Sequence, residues 1–416
     1  MSDLNVLLMG YNGANNTGAE ALLQADIADV RAVLGPDAQL TIPSLNPANL
    51  RRYVKETPQL RIAPVSSIYV PELARLVRQQ DLVLLVEGSA YMDTWSSALL
   101  WAFLWVTHCA HVMRKPCLAY AVDAGQLRPF NQWLVKRVAS ETDLIVVRSE
   151  AAAERLRGWG VTAPIESTAD NALTFHPNPT DDGVLQRLWP EATRTSGVAG
   201  LVPVDFNLFP VVIRPWGKAE DCYRWPLYFS RTPSRRRASQ ELAAGYAAVA
   251  DRLIAQRDLS VALIAYEQLD EPMVQCVLHH MQRPEQARAF SSRELNASQM
   301  TSLLRGLDLL VTSRYHACIL SLAAAVPQVA VGHDLRLKTL YRELGLEADF
   351  VEPGPGMCTR VEKRLDYLLR SPEPARAALR RGYADHLARA QRNRALLSSF
   401  VTSHGLPVQR SWQLAA

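Results

Sequence analysis

Two residues of complementary chemistry stand two positions apart in the middle of an otherwise apolar stretch, Arg314 and His316. Arg314 is a permanent, forked cation suited to phosphate or carboxylate. His316 can give or take a proton near neutral pH. The apolar run 309–311 leads into them and a helix-like stretch over 317–325 leaves them, with Pro327 opening a further apolar strand. A strand-loop-helix of this kind aims unpaired helix N–H groups above the strand end, where anions are favoured. Ser313, Arg314 and His316 are therefore expected to hold an anion, with His316 as general acid. An isolated Arg-x-His is also what a surface arginine beside a capped core histidine looks like, so the case rests on what accompanies it.

A second cluster opens the chain. Gly10 to Ala21 carries Gly13, Asn16, Gly18 and Glu20 directly after an apolar strand over 5–9. Its plain reading is a strand-to-helix turn; its functional reading is a close backbone approach to a substrate, with Glu20 as a possible base. Further candidates sit at other strand ends. Arg148 follows the strand 143–147 and would reach an anion from across a cleft. Arg214 and Lys338 are secondary cations. Asp93 and Asp170 are candidate bases or substrate ligands, or else a helix cap and a turn former. No group has metal-ligand spacing, and His108 with His111 reads as an i, i+3 pair on an apolar helix. Neither a metal nor a cofactor is expected.

These residues must be placed by an alternation of strands and helices along 416 residues, which predicts α/β architecture with largely parallel sheets. The expected division is an N-terminal Rossmann-like domain over 1–190, a second over 200–375, and a helical tail over 376–416. The stretch 178–207, rich in Pro, Asp, Gly and Thr, reads as the linker, and 211–213 as the first strand beyond it. Two such domains bind ligands in the cleft outside their strand C-termini.

Composition bounds the rest. Hydrophobic residues make up 48% and charged residues 21%, a globular profile. A formal charge of +4 is too small to imply nucleic acid. Six cysteines without paired spacing fit a reduced, cytoplasmic protein better than a disulfide scaffold. No secretory signal is visible in the first residues. The apolar run 98–106 is too short to span a bilayer and predicts a buried helix. Trp95, Trp101 and Trp105 nearby leave peripheral contact with a membrane, at its inner face, as the other reading. The basic cluster 234–237 reads as solvated surface or as a guide for an anionic substrate.

Taken in order, the motifs resemble the polysaccharide pyruvyl transferase family. The N-terminal pattern stands as Gly10, Tyr11, Gly13, Asn16, Gly18, Glu20 and Ala21; a glycine-rich turn as Glu87 to Asp93; an Arg-Asp-x-x-Ser stretch as Arg148 to Glu150; an Asp-Pro pair as Asp170-Asn171. Ser-Arg-x-His is intact as Ser313, Arg314 and His316, and Asp334 with Lys338 is similar to a Tyr-Asp-x-Lys element. The sequence departs from the pattern at Ala19, Glu87, Ser89 and Ser149. The resemblance implies a glycosyltransferase-B-like fold. It also implies transfer of a pyruvyl unit from phosphoenolpyruvate to hydroxyls of a sugar or lipid-linked glycan precursor, forming a ketal and releasing phosphate. Two other classes use the same scaffold: a glycosyltransferase taking a nucleotide sugar, and a non-catalytic binding protein.

Overall fold

The computed structural model describes residues 4–332 and 334–409. Seven strands build the first sheet: β1 (Asn5–Met9), β2 (Gln39–Ser44), β3 (Leu60–Pro64), β4 (Leu82–Leu85), β5 (Cys117–Val122), β6 (Leu144–Val147) and β7 (Ile165–Ser167). Their order is β3-β2-β1-β4-β5-β6-β7, and every pair is parallel. The remaining strands are β8 (Val198–Val202), β9 (Val211–Ile213), β10 (Cys222–Arg224), β11 (Leu227–Phe229), β12 (Ser260–Ala265), β13 (Ala287–Ser291), β14 (Leu309–Thr312), β15 (Gln328–Val331) and β16 (Phe350–Val351). Six of them form a second parallel sheet, β13-β12-β8-β14-β15-β16, and β10-β11-β9 form a small antiparallel one.

The two large sheets are the parallel α/β pair that the alternation predicted. Their central strands are buried apolar runs, as strands covered by helices on both faces must be. The linker reading hid one of them. β8 lies inside the stretch 178–207 and is central to the second sheet, whereas 211–213 belongs to the antiparallel sheet. Gly200 in the middle of β8 weakens the strand signal. A Cβ there would come 2.4 Å from the Leu307 side chain.

The two halves of the chain share core. The helix Thr17–Leu34 and the segment 169–175 contribute Ala21, Leu22, Ala25, Ala172 and Leu173 to the apolar cluster of the second sheet. The tail is one helix, Pro372–Ser403. Its early residues Ala375, Ala378, Leu379 and Ala390 join the second core, and Leu397, Phe400 and Val401 join the first. Asn393 midway along it donates to the carbonyl of Ala169 (3.1 Å) and fixes the segment before Asp170. Among the described residues no helix is long and apolar enough to cross a membrane.

Candidate active site

A cavity of about 310 Å³ opens between the two large sheets. Its walls come from the residues that follow β1, β2, β4, β12, β14 and β15, the C-terminal ends of parallel strands, where this architecture leaves room for a ligand.

His316 lies at the cavity wall in the helix Tyr315–Ser321, which begins directly after β14 and Arg314. The sequence expectation has this helix over 317–325; the observed helix begins two residues earlier, ends at Ser321 and continues as a single 3-10 turn. The ring packs on the first turn of the facing helix Thr17–Leu34. A Cβ at Gly18 would stand 2.3 Å from His316 Nδ1, so only glycine admits the ring. On its other side, Nε2 lies 3.4 Å from Oδ2 of Asp170, from the other half of the chain. That nitrogen is buried and lacks an aligned hydrogen-bond partner among the described residues. Gly18 was expected to present its backbone to a substrate; it instead makes room for the histidine.

Asp170 is buried and triply held: it accepts from the backbone N–H of Ala172, pairs with Arg148 Nη1, and faces His316. Burial alone would raise its pKa, but His316 and Arg148 outweigh burial and hold the carboxyl well below the usual carboxylate range. Arg148 is correspondingly sealed. Its side chain is 0% exposed, with Nε on Asp123 at 2.7 Å and its guanidinium stacked 4.2 Å from the Tyr315 ring centroid. Burial works against its charge, but Tyr315, Asp123 and Asp170 outweigh it and keep the guanidinium protonated. The sequence expectation had Arg148 reaching an anion across the cleft. The structure places it behind the cavity wall, under Tyr315 and against Gly88, whose Cβ would meet Nη1 at 2.4 Å.

Arg314 does line the cavity. Its Nε and Nη2 bind the two oxygens of Asp270 (2.9 and 2.5 Å), and Nη1 binds Glu267 at 2.8 Å. A guanidinium has five N–H groups; these contacts leave two for a ligand. Burial pushes Glu267 up to about 7 against the pull of Arg314, and Asp270 is raised for the same reason. Both acids follow the end of β12 at Ala265. Their strand-end position is visible in the sequence, but nothing there links them to Arg314.

The other expected site residues divide. Gly13 (φ 84°), Asn16 and Ser313 line the cavity. Asn16 caps the helix that carries Gly18 by accepting from Ala19 N–H (3.1 Å), and the Ser313 hydroxyl bonds that of Tyr246 (2.7 Å). Glu20, Asp93, Arg214 and Lys338 are not brought to the cavity. Glu20 is buried between Arg52 (2.5 Å) and the N–H of Ala297 (3.2 Å), where it ties the two halves together. Burial raises it to about 7. Asp93 accepts from Asn131 (2.6 Å) and the N–H of Arg128 (3.1 Å), which spends it on a loop. Arg214 lies over the Tyr228 ring (4.8 Å), and Lys338 pairs with Glu352 (2.8 Å) at the surface.

Several further residues, with no motif in the sequence to mark them, line the cavity. Arg336 is held by Asp334, and Arg314 and Arg336 flank the Trp95 ring at 5.9 and 5.8 Å. The hydroxyls of Tyr11 and Tyr223 meet at 2.7 Å across the two halves. Opposite this polar end, Leu73, Leu99, Ala102, Phe209, Leu227 and Leu269 make an apolar wall. The arrangement offers two guanidiniums, a histidine facing a buried carboxylate, and an apolar wall.

A model of the family described as polysaccharide pyruvyl transferase matches residues 16–334, most of the chain. The chain belongs to this family. As a member of it, the chain is a transferase. No curated protein matches it in sequence. Its fold is similar to that of Anabaena HepE in complex with UDP-glucose, at 11% identity and a TM-score of 0.60, over 96% of this chain and 100% of that one. It is also similar to UDP-GlcNAc 2-epimerase from Neisseria meningitidis bound to UDP-GlcNAc, at 8% identity and TM-score 0.59 over 96% and 100% of the chains. Sucrose-phosphate synthase from Thermosynechococcus elongatus matches at 11% and 0.57, over 96% and 98%. At these identities the likeness shows the fold, the glycosyltransferase-B arrangement of two facing α/β units, and leaves the reaction to the site.

Proposed function

We propose that this pyruvyl transferase family member moves a pyruvyl unit from phosphoenolpyruvate to two hydroxyls of a sugar or glycan precursor. Both hydroxyl oxygens bond to the central carbon of the donor, the bond from that carbon to the phosphate oxygen breaks, and a ketal forms. One hydroxyl proton is balanced by the proton gained at the methylene carbon, which becomes methyl; the other leaves with phosphate. The donor is a compact dianion to trianion, and its phosphate and carboxylate need forked cations in a partly dry recess. Arg314, with two N–H groups left, and Arg336 supply these at the polar end of the cavity.

The observation that carries the reading is the placement of His316. It lies next to Arg314 at the cavity wall, with Nε2 turned to the buried Asp170 and Nδ1 packed on Gly18. A histidine held by a facing carboxylate and by close packing, beside a cation at the cavity wall, is placed for general acid catalysis. Asp170 is a positioning residue; His316 is the acid that protonates the methylene carbon. Cytoplasmic action on a glycan precursor, with peripheral contact at a membrane, completes the reading.

The test is phosphate release from phosphoenolpyruvate in the presence of a panel of sugar and glycan acceptors, with a ketal detected by mass. Release that requires acceptor, and that His316→Gln abolishes, supports the reading. Release that is the same in His316→Gln would remove the histidine from the mechanism.

A further inference from the structure

The antiparallel sheet β9–β11 is inserted between β8 and the helix Pro233–Arg257 and bridges to the other half of the chain. Its inner face packs Val211, Leu227 and Phe229 with Leu208 on Ala98. The N–H of Val211 donates to the carbonyl of Trp95 at 2.7 Å. The opposite face is covered too, with Tyr228 buried under Arg214, but the end of the sheet at Ile213 and the turn 225–226 has no cover. Trp216 is 76% exposed, Trp225 56% and Ile213 51%. Trp225 Nε1 donates to the carbonyl of Pro215, the residue before Trp216 (3.2 Å).

The charge around them is one-sided. From residue 205 to 237 there are seven Lys and Arg against three Asp and Glu, so this segment alone matches the whole chain's formal charge of +4. The acids are already engaged: Glu220 and Asp221 by Arg236 (2.7 and 3.1 Å), and Asp205 by the Ser239 hydroxyl (2.8 Å). Lys218 and Arg237 are exposed at the rim. We propose that this exposed end of the sheet, with the first turn of the helix Pro233–Arg257, docks on an anionic lipid surface.

Indoles with an apolar body and one polar N–H favour the boundary between headgroups and hydrocarbon. Basic residues beside them add attraction to anionic lipid, about five-fold in binding for each Lys or Arg near the surface. A second copy of this chain fits less well. An isologous dimer would set the patch against itself, arginine toward arginine. The tryptophans that the sequence suggested for such contact are half-buried and already engaged: Trp95 lines the cavity, Trp101 donates to Asn131 (2.9 Å) and Trp105 to the carbonyl of Val70 (2.8 Å). Docking by β9–β11 also has a consequence for the acceptor. The same sheet gives Tyr223, Arg224 and Leu227 to the cavity wall, so the mouth of the site would lie beside the lipid surface. The proposal does not depend on the identity of the donor.

The experiment is co-sedimentation of the full chain with vesicles of phosphatidylcholine alone and of phosphatidylcholine with phosphatidylglycerol, at low and high salt. The wild type is expected to bind the anionic vesicles at least roughly ten-fold more strongly than the neutral ones, and to be released as salt rises. The double variant Trp216→Ala/Trp225→Ala and the double variant Lys218→Glu/Arg237→Glu should each lose binding by roughly ten-fold or more. Trp216→Ala alone, at the most exposed site, covers the case in which the double variant melts early. Equal, weak binding of the wild type to both vesicle types would overturn the proposal. So would undiminished binding by the variants, or a wild-type dimer that the tryptophan variants convert to monomer.

Discussion

Arg148 and Arg314 look alike in sequence and act differently in the fold. Each follows a parallel strand, one in each half of the chain, and each is closed by two carboxylates. Arg148 has no exposed surface and sits beneath Tyr315; Arg314 keeps 11% of its side chain exposed and lines the cavity. The first cluster spends its charge on building. Its spare carboxylate charge, on Asp170, faces His316 and orients it. The second cluster keeps capacity in reserve, because Glu267 is pushed up to about 7 and can give up its hold on Arg314 by taking a proton. Composition around an arginine thus does not separate a structural cation from a binding one; access does.

The sharpest way to break the comparison is to remove each cation. Arg148→Leu leaves Asp123 and Asp170 buried without their partner and should cost about 3–5 kcal/mol of stability, read by urea unfolding. Arg314→Lys keeps a charge at an accessible site and should fold normally, while weakening phosphoenolpyruvate binding by roughly ten-fold through loss of the fork. Similar unfolding curves for the two variants would mean that the clusters do not differ in kind.

The next effect concerns what the buried cluster orients. His316→Gln should lower turnover by about a hundred- to ten-thousand-fold with donor binding changed only a few-fold. Gly18→Ala should reproduce much of that loss. Its Cβ would fall 2.3 Å from Nδ1 and push the ring away, though Gly18 itself is outside the cavity wall. Normal turnover in Gly18→Ala would show that the position of the ring is immaterial.

A smaller effect lies in Glu20. Its folded pKa is raised from 4.5 to about 7, so the folded state binds the proton more tightly than the unfolded one. Stability is therefore unaffected below about pH 4.5, falls as pH rises toward 7, and is lowest above it, by on the order of 3 kcal/mol at most. Glu20→Gln should flatten that decline between pH 5 and 8 in thermal melts; an unchanged slope would exclude Glu20 as its source. The smallest expected effect belongs to Glu267. Donor affinity should fall several-fold as pH rises through about 7 while the acid ionises and competes for Arg314. Glu267→Gln should remove that step, leaving only the donor's own titration.

The fold was largely legible because strand and helix periodicity is local. Parallel sheets and strand-end placement of the site follow from it, and β8 was missed where Gly200 and the proline-rich stretch before it blurred the pattern. The site was legible by position and not by role. Arg314, His316, Asn16 and Ser313 reach the cavity, as strand-end residues should. That Arg148 is sealed, that Glu20 ties helix to helix, and that Gly18 admits an imidazole are all consequences of the two halves closing on each other. Such contacts join residues hundreds of positions apart, and no local pattern encodes them.

Calorimetric titration of the wild type and of Arg314→Lys with phosphoenolpyruvate, and of the wild type with UDP-glucose, tests the assignment of the cavity most directly. The expected result is binding of phosphoenolpyruvate that weakens roughly ten-fold in Arg314→Lys, with no heat from UDP-glucose. Binding of UDP-glucose with none of phosphoenolpyruvate would contradict it and make the cavity a nucleotide-sugar site.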